Sequence, residues 1–471
     1  MSSAGDVLER LAAVNVGVST FAEALEAQGA PVIDVDWRPP AEPDEETLGA
    51  LVRLWGEYGE RVAEANTAVF ERIEAAQPRA VGVARAGAEI SFLDGRALLH
   101  SGPPIVPGRI CDPQWRALVA ACLFEGWASD RDEAARLLSG GEVVLAPGND
   151  HLHVGPMTGV CSPSMPVWVV EDEQSGTRAF STLNEGPGNT LWYGVGDDES
   201  IERLCFFRDE LGPVLGRLIA SCGAIDILGL AAQGLQMGDD LHMRSQATRN
   251  LLIRTLLPGL VELGAEAERS ALFVADNHHF FLNLTMAAAK CASLAAAGSD
   301  GSTVVNLIAR NGTDVGVQLA GLPGRWFTAP APFVEHALLR EGYSEADGAP
   351  DIGDSAVIEC IGLGGAAVAA APVVATFSGQ SAADAVENTR EAAEICAGRS
   401  RRFTIPALDF VGTPVGIDAR LTVELGITPR ISTGVLHASS GAGQIGAGVA
   451  VQPLAPFRDA VVSLVEALDQ G

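Results

Sequence analysis

Apolar positions recur along this 471-residue chain with two periods, and the period changes several times between the ends. The opening VNVGVSTFAEALEAQGAPVIDVDW predicts a strand, a glycine turn, a helix of about ten residues stopped by Gly29, and a second strand. This is a βαβ-like start. RPPAEPD follows, and three prolines in seven residues continue neither element. Residues 46–78 return to helical spacing, with Leu51, Leu54, Val62 and Val69 among charged neighbours. From 79 to 200 the runs are short and β-branched, as in AVGVARAG, EVVLAPGND and PVWVVED, which predicts a mixed sheet with one or two helices. Residues 201–265 carry long amphipathic periods, IERLCFFRDELGPVLGRLIASCG and SQATRNLLIRTLLPGLVELG, and predict a helical module. Beyond 266 strands alternate with helices again, with a hairpin turning at Asn311-Gly312. The expected fold is α+β (mixed α/β) and multi-domain, divided into 1–78, 79–200, 201–265 and a C-terminal α/β domain at 266–471.

Composition narrows the class. Hydrophobic residues make up 47% and charged ones 19%, with 53 glycines, as in a globular chain with many tight turns. The net charge of −29 disfavours nucleic acid and anionic membranes, because phosphate neutralisation needs clustered cations. An anionic substrate must then be met locally, by arginines and free N–H groups. Eight cysteines stand singly, without CxxC spacing, which fits a reducing compartment. The first residues lack a secretion signal, and the longest apolar run is too short and proline-broken to span a bilayer, so a soluble cytoplasmic protein is expected.

The chemistry-bearing residues fall in separate stretches. VADNHHFFLNLTMAAAK, residues 274–290, reads as a helix capped by Asp276 or Asn277 and closing on Lys290, the one lysine among 31 Lys and Arg. On a helical wheel Phe281, Leu284, Ala288 and Cys291 share an apolar arc, while His279, Asn283, Met286 and Lys290 share the opposite one. That second arc is expected to face water, a partner or a ligand. The histidine pair is equally readable as local hydrogen bonding. His279 and Lys290 lie eleven residues apart, about 16 Å along a helix axis, so one small ligand does not easily touch both.

LQMGDDLHMRSQATRN is expected to place His242, Gln246 and Arg249 on one helix stripe behind an Asp239 cap, with Arg244 in the first turn as part of an anion cradle. Asn184 and Glu185 sit at a glycine-rich strand end, and Arg310, Asn311 and Thr313 at the hairpin tip. Gly362, Gly364 and Gly365 follow Asp351, Asp354 and Glu359, in a turn that offers N–H groups to phosphate without matching GxxxxGK[ST]. His151 and His153 form an HxH pair, but no third ligand lies nearby, so no metal is expected, nor a cofactor. No GxSxG, HExxH or Cys-His signature marks a nucleophile.

Taken together, HSGPPI, GPMTGVCSPSMPVWVVED, LNEG, AQGLQMGDDLH, FFLNLTMAAAK, ARNGTDVGVQLAG and PDIGDSAVIECIGLGG resemble the YlbE-like family, which includes AllG-type subunits of oxamate carbamoyltransferase. The stretch NVGVSTFAEALEAQGAPVIDVDWRPP, residues 15–40, also resembles a segment of FdrA-like proteins, relatives of the succinyl-CoA synthetase α subunit. The resemblance implies a transferase step of anaerobic purine (allantoin) catabolism, oxalurate plus phosphate giving oxamate plus carbamoyl phosphate. It also implies a multi-subunit complex with an FdrA-like partner, as a homo-oligomer or hetero-complex. For that chemistry anion recognition is expected from Lys290, Arg244 and Arg310, orientation from Asn283 and Asn311, and proton transfer from His242 or His279. The competing readings are a non-catalytic scaffold docking the FdrA-like subunit, and an acyl-CoA or acyl-phosphate enzyme.

Overall fold

In this computed structural model the described residues are 13–16, 19–35, 41 and 44–470. The β-branched start forms as its pattern predicts. Strands Ala13–Val16 and Val32–Val35 pair in parallel across the helix Ser19–Glu26, because a parallel pair needs a crossover between its strands. The chain is α+β and multi-domain, with its strands spread over several small sheets.

Two four-stranded antiparallel sheets organise the middle of the chain. One runs Arg178–Thr182, Pro166–Asp172, Pro78–Arg85, Ile225–Asp226, and the other Phe327–Pro330, Asp314–Leu319, Val305–Asn311, Ile352–Gly353. Gly312 and Thr313 connect two strands of the second sheet in the expected hairpin, with Gly312 at φ 77° as its turn requires. A three-stranded sheet of Glu335–Leu339, Gln444–Val451 and Arg430–Leu436 stands beyond. The long apolar periods of the expected helical module are helices, including Gly212–Cys222, Ile227–Gln236 and Gln246–Leu263.

The helix Leu282–Ala296 lies at the centre. Every residue from Leu282 to Ser293 is buried, and the helix packs on the first sheet, on Ser355–Ile361 and on the helix Gly59–Ala75. Alanines at 287–289 and 292 let these neighbours come close, and a helix without a solvent-facing stripe belongs in a core. The expected second face of this helix is therefore corrected. Asn283 and Met286 meet protein, and Lys290 is only 4% exposed.

The start of that helix is corrected too. Asp276 ends the preceding helix Glu268–Asp276, residues 277–281 form a turn, and Phe281 is the N-cap without a side-chain bond. His279 is thus outside the helix. His242 and Arg244 are likewise in a loop, because the next helix begins only at Gln246. Asp239 nevertheless serves that helix from a distance, its Oδ2 accepting from the Thr248 N–H at 2.8 Å and hydroxyl at 2.9 Å. His151 and His153 lie in and beside a single 3-10 turn, where His151 stacks on Phe92 at 4.2 Å. No group of three or more His, Cys, Asp or Glu that could hold a metal occurs among the described residues.

Candidate functional site

Segments far apart in the sequence meet in a buried polar knot. Arg310, fully buried, donates from Nε to Asp351 Oδ2 at 2.8 Å and from Nη1 to the Gly353 carbonyl at 2.6 Å. The Thr433 hydroxyl donates to the same Asp351 at 3.0 Å. Asp354 accepts from Gly102 N–H at 2.8 Å and Gly155 N–H at 3.1 Å. Gly102 has φ +79°, and a Cβ there would lie 2.5 Å from the backbone of Arg310 and Asn311, so the crossing admits only glycine. Asn311 donates to the Pro103 carbonyl at 3.0 Å and accepts from Thr313 and Asp314 N–H, and the Thr313 hydroxyl donates to the Arg109 carbonyl at 2.8 Å. The hairpin-tip residues are thus all engaged within the fold.

Lys290 reaches this knot from the central helix and carries neither an ion pair nor a hydrogen bond among the described residues. Burial pulls its ammonium down to about 8, against the attraction of Asp354 and Asp150. Burial also pushes the Asp354 carboxyl up to about 7, against its two N–H donors and the nearby Arg310 and Lys290. Both groups pay more in lost hydration than they recover from one another.

About two helical turns towards the start of the same helix, amides form a second buried cluster around Asn283. Asn184 donates to Asn283 at 2.8 Å, Asn283 donates to the Thr182 carbonyl at 2.7 Å, and Asn277 donates to the Asn184 carbonyl at 3.0 Å. Glu185 accepts from Leu191 N–H at 2.7 Å and Trp192 N–H at 3.1 Å, and burial pushes its carboxyl up to about 7.

The segment Ser355–Ile361 leads from the knot to a third group. Its Glu359 accepts from Gly365 N–H at 2.9 Å and Ala366 N–H at 3.1 Å, and lies 3.5 Å from His242 Nδ1. Gly364 N–H donates to the Asp240 carbonyl at 2.8 Å, and Gly362 N–H to the Glu359 carbonyl at 3.1 Å. The N–H groups of Gly362, Gly364 and Gly365 are therefore already taken by protein acceptors, Glu359 sitting where the sequence suggested an anion. Asp240 accepts from the N–H groups of His242, Met243 and Arg244, fixing the loop, and burial pushes its carboxyl up to about 6.

That loop borders an open cavity of about 590 Å³. Its polar lining comes from Asn189, Arg244, Gln246, His278, His279, Arg340 and Gln444, with no Asp or Glu among the lining residues. Arg244 has one carboxylate near it, Asp239 at 3.4 Å, and its Nε makes no hydrogen bond. Arg340 is exposed and makes no side-chain ion pair or hydrogen bond among the described residues. Burial, with His278 and His242 as neighbours, pulls the His279 imidazole down to about 3, and its Nδ1 has no partner. A neutral imidazole in a lining that also holds two arginines offers hydrogen bonds without adding like charge. The lining brings Arg244 and His279 together and excludes Lys290, Arg310, Asn283 and Asn311. Arg340, Asn189 and Gln444 went unnoticed in the sequence, because each stands alone at the end of an unremarkable strand or loop.

Residues 143–355 match the family described as oxamate carbamoyltransferase subunit AllG. The Escherichia coli K12 oxamate carbamoyltransferase subunit AllG is 41% identical over 87% of this chain and 99% of its own length. The E. coli K12 protein YahG, described as uncharacterized, is 37% identical over 96% of this chain and 97% of its own. A crystal structure of a conserved protein of unknown function from Enterococcus faecalis V583 superposes with TM-score 0.85 at 35% identity, covering 87% of this chain and 98% of that one.

Proposed function

We infer the function of this chain from its family: it belongs to the AllG-type oxamate carbamoyltransferase subunits. We propose that it takes part, within a cytoplasmic multi-subunit complex of purine catabolism, in interconverting oxalurate plus phosphate with oxamate plus carbamoyl phosphate. The partner in this reading is an FdrA-like subunit. No described helix is long and apolar enough to cross a membrane, which is compatible with that setting.

The observation that carries the site is the cavity lining, two arginines and two histidines with no carboxylate in a chain of net charge −29. In phosphorolysis a phosphate oxygen attacks the carbamoyl carbon, the carbon–nitrogen bond breaks, and the phosphate proton moves to the departing amide nitrogen. Both substrates are anions, so Arg244 and Arg340 take the carboxylate and the phosphate. Gln246, Asn189 and Gln444 orient the carbamoyl amide and carbonyl. His279 relays the proton, and an anion bound beside it raises its pKa from the empty-site value. Lys290, Arg310, Asn283, Asn184 and Glu185 act behind this surface as positioning residues, as does His242 through Glu359.

The test is carbamoyl phosphate formation from oxalurate by the chain reconstituted with its partners. Arg244→Met is expected to raise the KM for oxalurate about tenfold or more, with an unchanged melting temperature. An unaltered KM sinks the assignment of this cavity.

A further inference from the structure

The cavity wall carries a phenol that the reaction just described leaves without a task. Tyr193 lines the cavity and is only 7% exposed, yet its hydroxyl makes no hydrogen bond among the described residues. A buried tyrosine oxygen ordinarily finds a partner, so one left without calls for an explanation. The ring around this idle oxygen is firmly held. It stacks on Trp192 at 4.4 Å between centroids, and Trp192 donates from its ring nitrogen to the Gly186 carbonyl at 3.1 Å. Glu185 clamps the same turn by accepting from the Leu191 and Trp192 N–H groups. A Cβ on Gly443 would lie 3.6 Å from the Tyr193 Cβ, so the segment that bears Gln444 rests against it. Arg340, on the same cavity, would attract a phenolate, but burial outweighs that attraction and pushes the phenol above its ordinary range, so the hydroxyl keeps its proton.

We propose that Tyr193 is a catalytic residue of the carbamoyl transfer: its O–H donates to the carbamoyl oxygen of oxalurate and holds the negative charge that forms there. This rests on the reading that the arginine-lined cavity takes oxalurate and phosphate. When a phosphate oxygen bonds to the carbamoyl carbon, the second pair of the C=O bond moves onto the oxygen, and Tyr193 shares its proton in a hydrogen bond without losing it. That pair then returns to re-form the carbonyl. The carbon–nitrogen bond breaks with its electrons going to nitrogen, which takes up the phosphate proton, and the products are oxamate and carbamoyl phosphate. A hydrogen bond to an ionised oxygen is roughly twice as strong as one to a neutral oxygen, so this contact tightens as the charge develops and stabilises the transition state more than the bound substrate. The amides on the wall are less suited to the task. Asn189 and Gln444 already donate to Asp197 at 2.8 Å and to the Gly446 carbonyl at 3.1 Å, and a phenol, being the stronger acid, is the better donor to an oxyanion.

Steady-state kinetics of the reconstituted complex carrying Tyr193→Phe tests this, since phenylalanine keeps the stack on Trp192 and removes only the oxygen. The kcat for carbamoyl phosphate formation is expected to fall about a hundredfold or more, with the KM for oxalurate unchanged. The melting temperature is expected to stay where it was, because the substitution breaks no bond within the fold. An unchanged kcat, a raised KM with kcat kept, or a lowered melting temperature overturns the assignment, showing respectively no role, a role in holding the substrate, or a role in holding the fold. Arg244→Met keeps this proposal apart from the reading it rests on. If Arg244→Met raises the KM while Tyr193→Phe leaves kcat unchanged, the cavity stands and the phenol falls. If Arg244→Met leaves the KM unaltered, the cavity assignment falls and Tyr193 falls with it.

Discussion

Arg310 is fully buried, with its guanidinium on Asp351 and the Gly353 carbonyl, whereas Arg244 is 36% exposed, with one carboxylate at 3.4 Å and an open cavity in front of it. The same contrast runs through their surroundings. In the knot nearly every polar group meets a partner supplied by a distant segment, and Asp354, Asn311 and Thr313 are all satisfied by backbone. Around the cavity the cations and the His279 ring have capacity to spare. A charge that is paired and dry fixes a chain crossing, and one that is left under-paired at a surface is available to a ligand. The difference separates the residues that hold this molecule together from those that the fold leaves open to a ligand.

The contrast breaks most visibly at Arg310. Arg310→Met leaves Asp351 buried with only the Thr433 hydroxyl, and removing one partner of a buried pair costs about 3–5 kcal/mol. Denaturant unfolding at neutral pH measures this, and a loss below about 1 kcal/mol would mean that the knot does not depend on its own pairing. Refolded at low temperature, the variant should still bind oxamate.

Lys290 is the member of the knot that does not fit its rule, and pH exposes it. Asp354 is held near 7 against an ordinary 3.8, so the folded chain keeps a proton the unfolded chain has lost, and stability falls as pH rises from about 4 to 7. Lys290 is held near 8 against an ordinary 10.5, so here the unfolded chain keeps the extra proton, and stability recovers as pH rises from 8 to 10.5. The couple is therefore least favourable to folding between pH 7 and 8, where both groups are charged. Lys290→Met is expected to be at least as stable as the parent at pH 7.5, since Asp354 then simply keeps its proton. By pH 10.5 the parent should have gained on it by on the order of 1 kcal/mol or more. A stability difference that stays flat over this range refutes the account.

What the sequence revealed and what it hid follow from the range of the interactions involved. The βαβ start and the Asn311-Gly312 hairpin were legible because strand alternation, a glycine at positive φ and a tight turn are decided within a few residues. The helices of 201–265 announced themselves by period. The wheel drawn on 274–290 misled, because a helix buried on every side has no polar face, and the arc holding Asn283 and Lys290 points into other buried polar groups. The turn at 277–281 was hidden as well: Asn277 spends its side chain on Asn184, 93 residues away, and not on capping the helix. Gly364 and Gly365 have the right local shape for an anion, but Glu359 fills it. The cavity as a whole was the least legible feature: Arg244, Gln246 and the histidine pair stood out in the sequence, but Asn189, Arg340 and Gln444 join them from segments far away in the chain.

The smallest expected effect lies at Arg340. It is exposed, lines the cavity and has no ion pair among the described residues, so nothing in the fold leans on it. Arg340→Met should leave stability within about 0.5 kcal/mol of the parent, as at other exposed positions. Its contribution to an anionic substrate is partly screened by solvent, so the KM for phosphate or oxalurate should rise only severalfold, less than for Arg244→Met. The rise should also shrink as salt is added, because an exposed charge attracts through water that ions can screen. Steady-state kinetics of the reconstituted complex at low and high salt would decide it. An effect that exceeds that of Arg244→Met, or one indifferent to salt, would move the centre of anion recognition to the strand side of the cavity, and with it the line between the residues that hold the fold and those that meet the substrate.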